Sequence, residues 1–203
     1  MVSIYLIVGL PGPGKTTRAK ELEVNESALR LTPDEWQMAI FDGDDSSRWR
    51  TKERADHRDR IEGKLVETGM RVAALGMDVV FDFGLWGKDE RSALRWIAST
   101  LGVPTHVVYL PIDFEEQRRR IRHRYENEPG QFHMADAELE QWHRQFQAPD
   151  VDELSHGAIP EAPEGTGRGR SGRPSAGRRC RTSSEESVHP SKARVAGRRR
   201  TPA

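Results

Sequence analysis

The chain opens on VSIYLIV (2–8), a short apolar and β-branched run, and then breaks into GLPGPGKTT (9–17). No other feature restricts the fold so tightly. Gly9, Gly14, Lys15 and Thr16 fill every fixed position of GxxxxGK(S/T), a pattern that demands a strand before it and a helix after it. Both flanks comply. The apolar run reads as a buried parallel strand, and KTTRAKELE (15–23) holds helix formers with no breaker. Backbone N–H groups of a loop that opens a helix converge on anionic oxygen. Gly12, Pro13 and Gly14 present backbone groups there with little freedom left to lose, the N–H donors coming from the glycines, and Thr17 continues the cradle. Lys15 supplies a point charge for β and γ phosphates, and Thr16 a hydroxyl for Mg²⁺. A plain Pro/Gly turn is the alternative, and it leaves the joint fit of motif and flanks without a reason. The donor side is therefore expected to be a nucleoside triphosphate.

Further strands are expected at ALRL (28–31), MDVVFDF (77–83) and THVVYL (105–110), each separated from the next by helical text. Thr32, Pro33 and Glu35 have the N-cap, N1 and N3 identities of a capping box, which predicts a helix over 32–41. A long helix is expected over roughly 48–75, with Ile61, Leu65, Val72 and Leu75 as its apolar face, weakened by Gly63 and Gly69. Residues 88–101 carry Leu94, Ile97, Ala98 and Leu101 at helical spacing, with Gly102 as the stop. Asp113 and Glu116 predict the start of a helix through FEEQRRRIRHRY, NEPG (127–130) ends it, and a last helix covers about 135–146. Alternating strands and helices predict an α/β three-layer sandwich of the P-loop NTPase type, with a mostly parallel sheet, right-handed crossovers and helices on both faces.

From Ser155 the composition turns to Gly, Pro, Ser, Arg and Glu, with 11 Lys+Arg against 4 Asp+Glu, a net +7. The whole chain is neutral, so residues 1–154 carry the matching −7. Such a segment cannot bury enough apolar surface to offset its ordering entropy. A folded domain over 1–154 and a disordered basic tail over 155–203 are expected. Cys180 is the single cysteine, so no internal disulfide forms. No stretch approaches the roughly 20 apolar residues of a membrane span, and the first apolar run lacks the flanks of a signal peptide. The sequence reads as soluble and cytoplasmic.

Four segments in order, LIVGLPGPGKTTRAKEL, LRLTPDEW, VVFDFGLWGKDERSALR and RRRIRHR followed by PG and DEL, resemble the small P-loop kinase-like family often labelled AAA-type ATPases. The layout is similar to chloramphenicol phosphotransferase, zeta toxins and the kinase half of polynucleotide kinases, and covers about 1–154. The resemblance implies that Asp34 is the base on an acceptor hydroxyl. An acid near a helix N-terminus is also what the helix dipole favours, so a local role stays open. Asp82 leaves a strand where an open parallel sheet faces its ligand crevice, which points to the Mg²⁺ shell. Phe83, Gly84, Leu85 and Trp86 follow, as pocket lining or as packing. The resemblance implies a substrate contact for Arg91, beside the alternative of a solvated face. It also makes the arginine run a lid that brings Arg120 and Arg124, spaced i,i+4, onto the transferring phosphate. The tip of that lid is ENEPGQ (126–131). Asp56, His57 and His133 are further polar candidates without a zinc-like spacing.

The expectation is an ATP- and Mg²⁺-dependent kinase with a small-molecule hydroxyl as acceptor and ATP hydrolysis as a side activity. ATP over GTP follows from the family and from the absence of an (N/T)KxD motif. A polynucleotide or RNA-end kinase is the alternative that the basic tail favours and the acidic body opposes. A non-catalytic nucleotide-binding module is the other.

Overall fold

In the computed structural model, residues 1–42, 52–128 and 134–159 are described. His133, part of the lid tip and the tail from 160 lie outside them. Four parallel strands, β1 (Ile4–Val8), β2 (Leu29–Leu31), β3 (Val79–Gly84) and β4 (Thr105–Tyr109), line up in the order β2-β3-β1-β4. The first strand is central, so its C-terminal end delivers the Gly-rich loop to the middle of the sheet edge. Alternation along β1 sorts the core. Ile4, Leu6 and Val8 face one cluster with Leu31, Val79 and Phe81, while Ile7 faces the other with Val80, Ala19 and Leu22. Helix α1 (Lys15–Asn25) covers the second face. Helices α3 (Lys52–Ala74) and α4 (Lys88–Thr100) cover the first, through Ile61, Leu65, Met70, Leu94 and Ala98. This is the α/β fold of P-loop kinases, with helices on both faces of the sheet.

Three details depart from the sequence expectation. Thr32 makes no side-chain cap, and the Glu35 side chain turns to Arg30 instead of back to the helix start, so neither half of the capping box forms. Helix α2 is therefore short, Pro33–Gln37, and widens into a π-helical turn over Met38–Asp42. Leu75 lies past the end of α3 and is exposed, and Leu101 at the end of α4 is largely so; Met70 and Ala73 complete the apolar face of α3. Gly69 is more than a weak point of that helix. A Cβ there would come within 2.5 Å of Phe81 Cζ, so the glycine sets how closely α3 lies on β3.

Helix α5 (Phe114–Asn127) begins as expected, with the Asp113 carboxylate accepting from Glu116 N at 2.9 Å, and α6 (Asp136–Gln145) follows. A short helix, α7 (Val151–Leu154), was not expected from the sequence, and ordered contacts run past it. Arg95 donates to Gly157 O and His156 meets Thr105 O, so the folded body extends beyond Leu154. Among the described residues no helix is long and apolar enough to cross a membrane.

Candidate functional site

Gly14 caps α1 with φ of 94°, a left-handed conformation that glycine adopts without a Cβ penalty. The loop thus turns straight into the helix, and Thr16 and Thr17 stay exposed at its first turn. Gly84 at the end of β3 also has positive φ, and a Cβ there would sit 3.6 Å from Lys15 Cε and 3.4 Å from Trp86 Nε1. Lys15 lies in this notch and donates from Nζ to Leu10 O at 2.6 Å. Burial lowers its pKa to about 8. The charges of Asp82 and Asp34 oppose that shift, and those of Arg58 and Arg124 add to it. The lysine, both carboxylates and an arginine of α5 therefore sense one another around the loop.

Asp82 is buried, and burial pushes its carboxyl above the ordinary value while Arg30 and Lys15 pull it down. Arg30 NH1 lies 3.3 Å from Asp82 Oδ2. Asp34, on the first turn of α2, has an exposed carboxylate that accepts from Arg58 NH1; Arg58 also reaches Glu62 at 2.7 Å. The Asp34 carboxylate is thus held from α3. Arg30 and Arg58 were both missed in the sequence. A charged residue inside the apolar strand LRL was the available signal for Arg30, whereas nothing marks Arg58 among the charges of α3. His57, next to it, stacks on Phe41 with ring centroids 3.9 Å apart.

The arginine run divides by direction. Arg120 NH1 donates to Gly12 O at 3.3 Å, so it rests on the loop, and Arg124 acts on Lys15 through its charge. Arg118 and Arg119 are engaged with Asp136 and Glu116. Gln117, fully buried, donates to Pro11 O and meets His143 Nε2 of α6 at 2.7 Å, so α5 and α6 brace the loop. Trp86 lies between Gly84 and Trp142, with ring centroids 5.8 Å apart.

Arg91 corrects the sequence expectation. It is neither a solvated face nor a crevice residue. Its Nε and NH2 donate to Glu153 at 2.7 and 3.0 Å, NH1 donates to Leu85 O and Trp86 O, and both side chains are within 1% of complete burial. All three guanidinium nitrogens are engaged by the protein, and the side chain is fully buried, away from any substrate.

Mg²⁺ takes hard oxygen ligands and is usually held by one or two carboxylates plus substrate phosphates. Among the described residues no cluster of three or more His, Cys, Asp or Glu is built to cage a metal. Asp82 and Thr16 supply oxygen donors beside the phosphate loop, so the residues fit an ion that arrives with a nucleotide.

A family model described as an AAA domain matches residues 4–149. No curated protein matches the chain. Among solved structures, it is similar to a candidate kinase from Chloroflexus aurantiacus, with a TM-score of 0.56, 19% identity and cover of 81% of this chain and 84% of that one. Kti12 from Chaetomium thermophilum, solved with ADP-AlF3, gives 0.55 and 18%, with 72% and 81% covered. A gluconokinase from Sinorhizobium meliloti gives 0.50 and 16%, with 74% and 77% covered. At these identities the likeness is one of fold.

Proposed function

The chain belongs to the AAA-domain family, and from that premise we propose that it is an ATP- and Mg²⁺-dependent kinase that transfers the γ-phosphate to a hydroxyl of a small molecule. The observation that carries this reading is the convergence of Lys15, Asp34 and Asp82 at one end of the sheet, each acting on another's charge. A pure nucleotide cradle has no use for the exposed carboxylate of Asp34. A kinase does, because phosphoryl transfer rests on positioning the nucleophile and balancing charge.

Loop N–H groups of Gly12 and of Gly14 to Thr17 receive the phosphates. Lys15 exchanges Leu10 O for β and γ oxygens, which return it to a fully charged environment. The Thr16 hydroxyl and the Asp82 carboxylate would hold Mg²⁺, which would offset the charge of the phosphates. The acceptor hydroxyl donates to Asp34, whose orientation Arg58 fixes. Its oxygen forms the new bond to the γ-phosphorus as the bond from that phosphorus to the β,γ-bridging oxygen breaks. ADP leaves with the electron pair, and the hydroxyl proton passes to Asp34. Arg120 and Arg124 would offer donors to charge on the equatorial oxygens, a role supported by the contact of Arg120 with Gly12 O and by the charge of Arg124 acting on Lys15.

The test is acceptor-dependent transfer from labelled ATP across sugars, antibiotics, nucleosides and oligonucleotides. Lys15→Met is expected to lose nucleotide binding. Asp34→Asn is expected to keep ATP affinity within about twofold and to lose transfer by about 100-fold or more. Transfer by Asp34→Asn at the wild-type rate would falsify the base assignment. Stimulation by oligonucleotides alone would move the acceptor to RNA or DNA ends, and none at all would leave a non-catalytic module.

A further inference from the structure

Arg30 sits in the middle of β2 with its side chain 8% exposed, and its fork touches three carboxylates from three elements. Nε reaches Glu23 of α1 at 3.2 Å, NH2 reaches Glu35 of α2 at 2.6 Å, and NH1 reaches Asp82 of β3 at 3.3 Å. These elements carry, in turn, the phosphate loop's helix, the neighbour of Asp34 and the carboxylate proposed for the metal. We propose that Arg30 is a positioning residue that holds Asp82 ready for the metal–nucleotide complex and locks the start of α2 in the same fork. The inference rests on the nucleotide-binding reading above.

The physical case has three parts. A carboxylate as buried as Asp82, 4% exposed, needs a partner to remain in place. A planar guanidinium offers donors in fixed directions, so contacts at Glu23 and Glu35 fix where NH1 points. An ammonium on a lysine stem reaches one such partner as a point charge. The contact at Glu35 also explains why the glutamate's half of a capping box at Thr32 is missing, because that side chain is bound to Arg30. The backbone of α2 gives up a cap and gains a tie to the strand beneath the site.

The experiment uses the full chain with AMPPNP as nucleotide and Mn²⁺ as a spectroscopic stand-in for Mg²⁺. Mn²⁺ affinity and electron paramagnetic resonance line shape are read in the ternary complex, and AMPPNP affinity is read separately in EDTA. Arg30→Gln is expected to weaken Mn²⁺ about tenfold, the scale on which outer partners of metal ligands act. It should change metal-free AMPPNP affinity less than about twofold. Asp82→Asn should weaken Mn²⁺ at least as much, and the double variant no further. Arg30→Lys, which keeps the charge and one contact, should fall between wild type and Arg30→Gln, and it serves if the glutamine variant does not fold. Unchanged Mn²⁺ affinity in the Arg30 variants overturns the proposal. So do losses that multiply in the double variant, or an equal loss of AMPPNP affinity in EDTA. A wild-type chain that binds no AMPPNP fails the nucleotide-binding reading itself, a result distinct from all of these.

Discussion

Arg91 and Arg30 both carry a guanidinium into the interior near β3, yet their surroundings differ. Arg91 meets one carboxylate, Glu153, in a two-pronged pair, and two backbone oxygens take the remaining donor. Charge is matched one to one and water is excluded. Arg30 meets three carboxylates, two of them partly exposed, so its neighbourhood keeps a surplus of negative charge beside Lys15 and the phosphate loop. The closed pair fastens the segment after α6 to the turn after β3, with help from Gln147 N on Trp86 O and from Lys88 on Asp150. On the proposal above, the same residue type holds the fold in one place and positions a metal-binding carboxylate in the other, and the two differ in the number of carboxylates around the guanidinium.

Cutting the closed pair is the strongest way to break this comparison. Glu153→Ala leaves Arg91 buried without a counter-charge, and loss of one partner of a buried pair costs about 3–5 kcal/mol. Urea unfolding should show that loss as a lower midpoint. AMPPNP affinity of the fraction still folded should stay within about twofold, since no donor of Arg91 faces the loop. A change to Arg91→Met with Glu153→Leu should recover most of the stability, because apolar replacement of a buried pair is often neutral. A Glu153→Ala protein of ordinary stability that no longer binds nucleotide would reverse the assignment of the two arginines.

The contrast also marks how far the sequence reaches. The strand, the Gly-rich loop and α1 were legible because adjacent residues carry all the signal: an apolar run, glycines where φ turns positive, and helix formers. The parallel sheet follows from the alternation of strands and helices, whereas the order β2-β3-β1-β4 rests on pairings between distant segments that no local spacing reveals. Arg91 was misjudged because its partner lies 62 residues away, past a helix whose docking no local spacing reveals. Thr32 and Glu35 show the complementary failure, where a sound local rule loses to a tertiary contact with Arg30. Within RRRIRHR the i,i+4 spacing fits Arg118 and Arg122 as well as Arg120 and Arg124, so it does not tell which arginine meets the loop; the contact of Arg120 with Gly12 O is a tertiary one. The braces formed by Gln117 and His143 left no signal, since a buried glutamine looks like any polar residue of a charged helix.

The open side is sharpened next by pH. Lys15 has its pKa lowered from 10.5 to about 8 by burial, against Asp82 and Asp34. A triphosphate restores the ammonium, so binding takes up a proton once the free protein has lost it, and affinity must fall as pH rises. In EDTA, AMPPNP affinity should drop about tenfold between about pH 7.5 and 9. Stability has the opposite sign. The unfolded chain keeps Lys15 protonated up to 10.5, so above about pH 8 the unfolded state binds more protons and stability rises with pH. The Lys15→Met protein should lack this rise. Affinity that is flat over the same range would mean that the lysine already has a full counter-charge before the nucleotide arrives, and the surplus of negative charge at the open side would have to be larger than the fork alone supplies.

The smallest effect concerns the arginines that are neither closed nor buried. Arg120 is about half exposed and shares its guanidinium between Glu116 and Gly12 O. Exposed ion pairs of this kind contribute little to folding, so Arg120→Ala should leave the urea midpoint unchanged within error. Its contact with the loop predicts something else. A residue that rests on the Gly12 carbonyl helps to hold the neighbouring N–H groups toward the crevice, and its charge faces the incoming phosphates. AMPPNP affinity in Arg120→Ala should fall by about two- to threefold, with a shallower dependence on salt than in wild type. Arg119→Ala, one residue away and paired with Glu116 on the outer surface, is the matched control and should change neither quantity. If the two variants lose affinity equally, the lid arginines act only through the general field of α5. The distinction by direction would then end at Arg30, where contact geometry and not mere charge does the positioning.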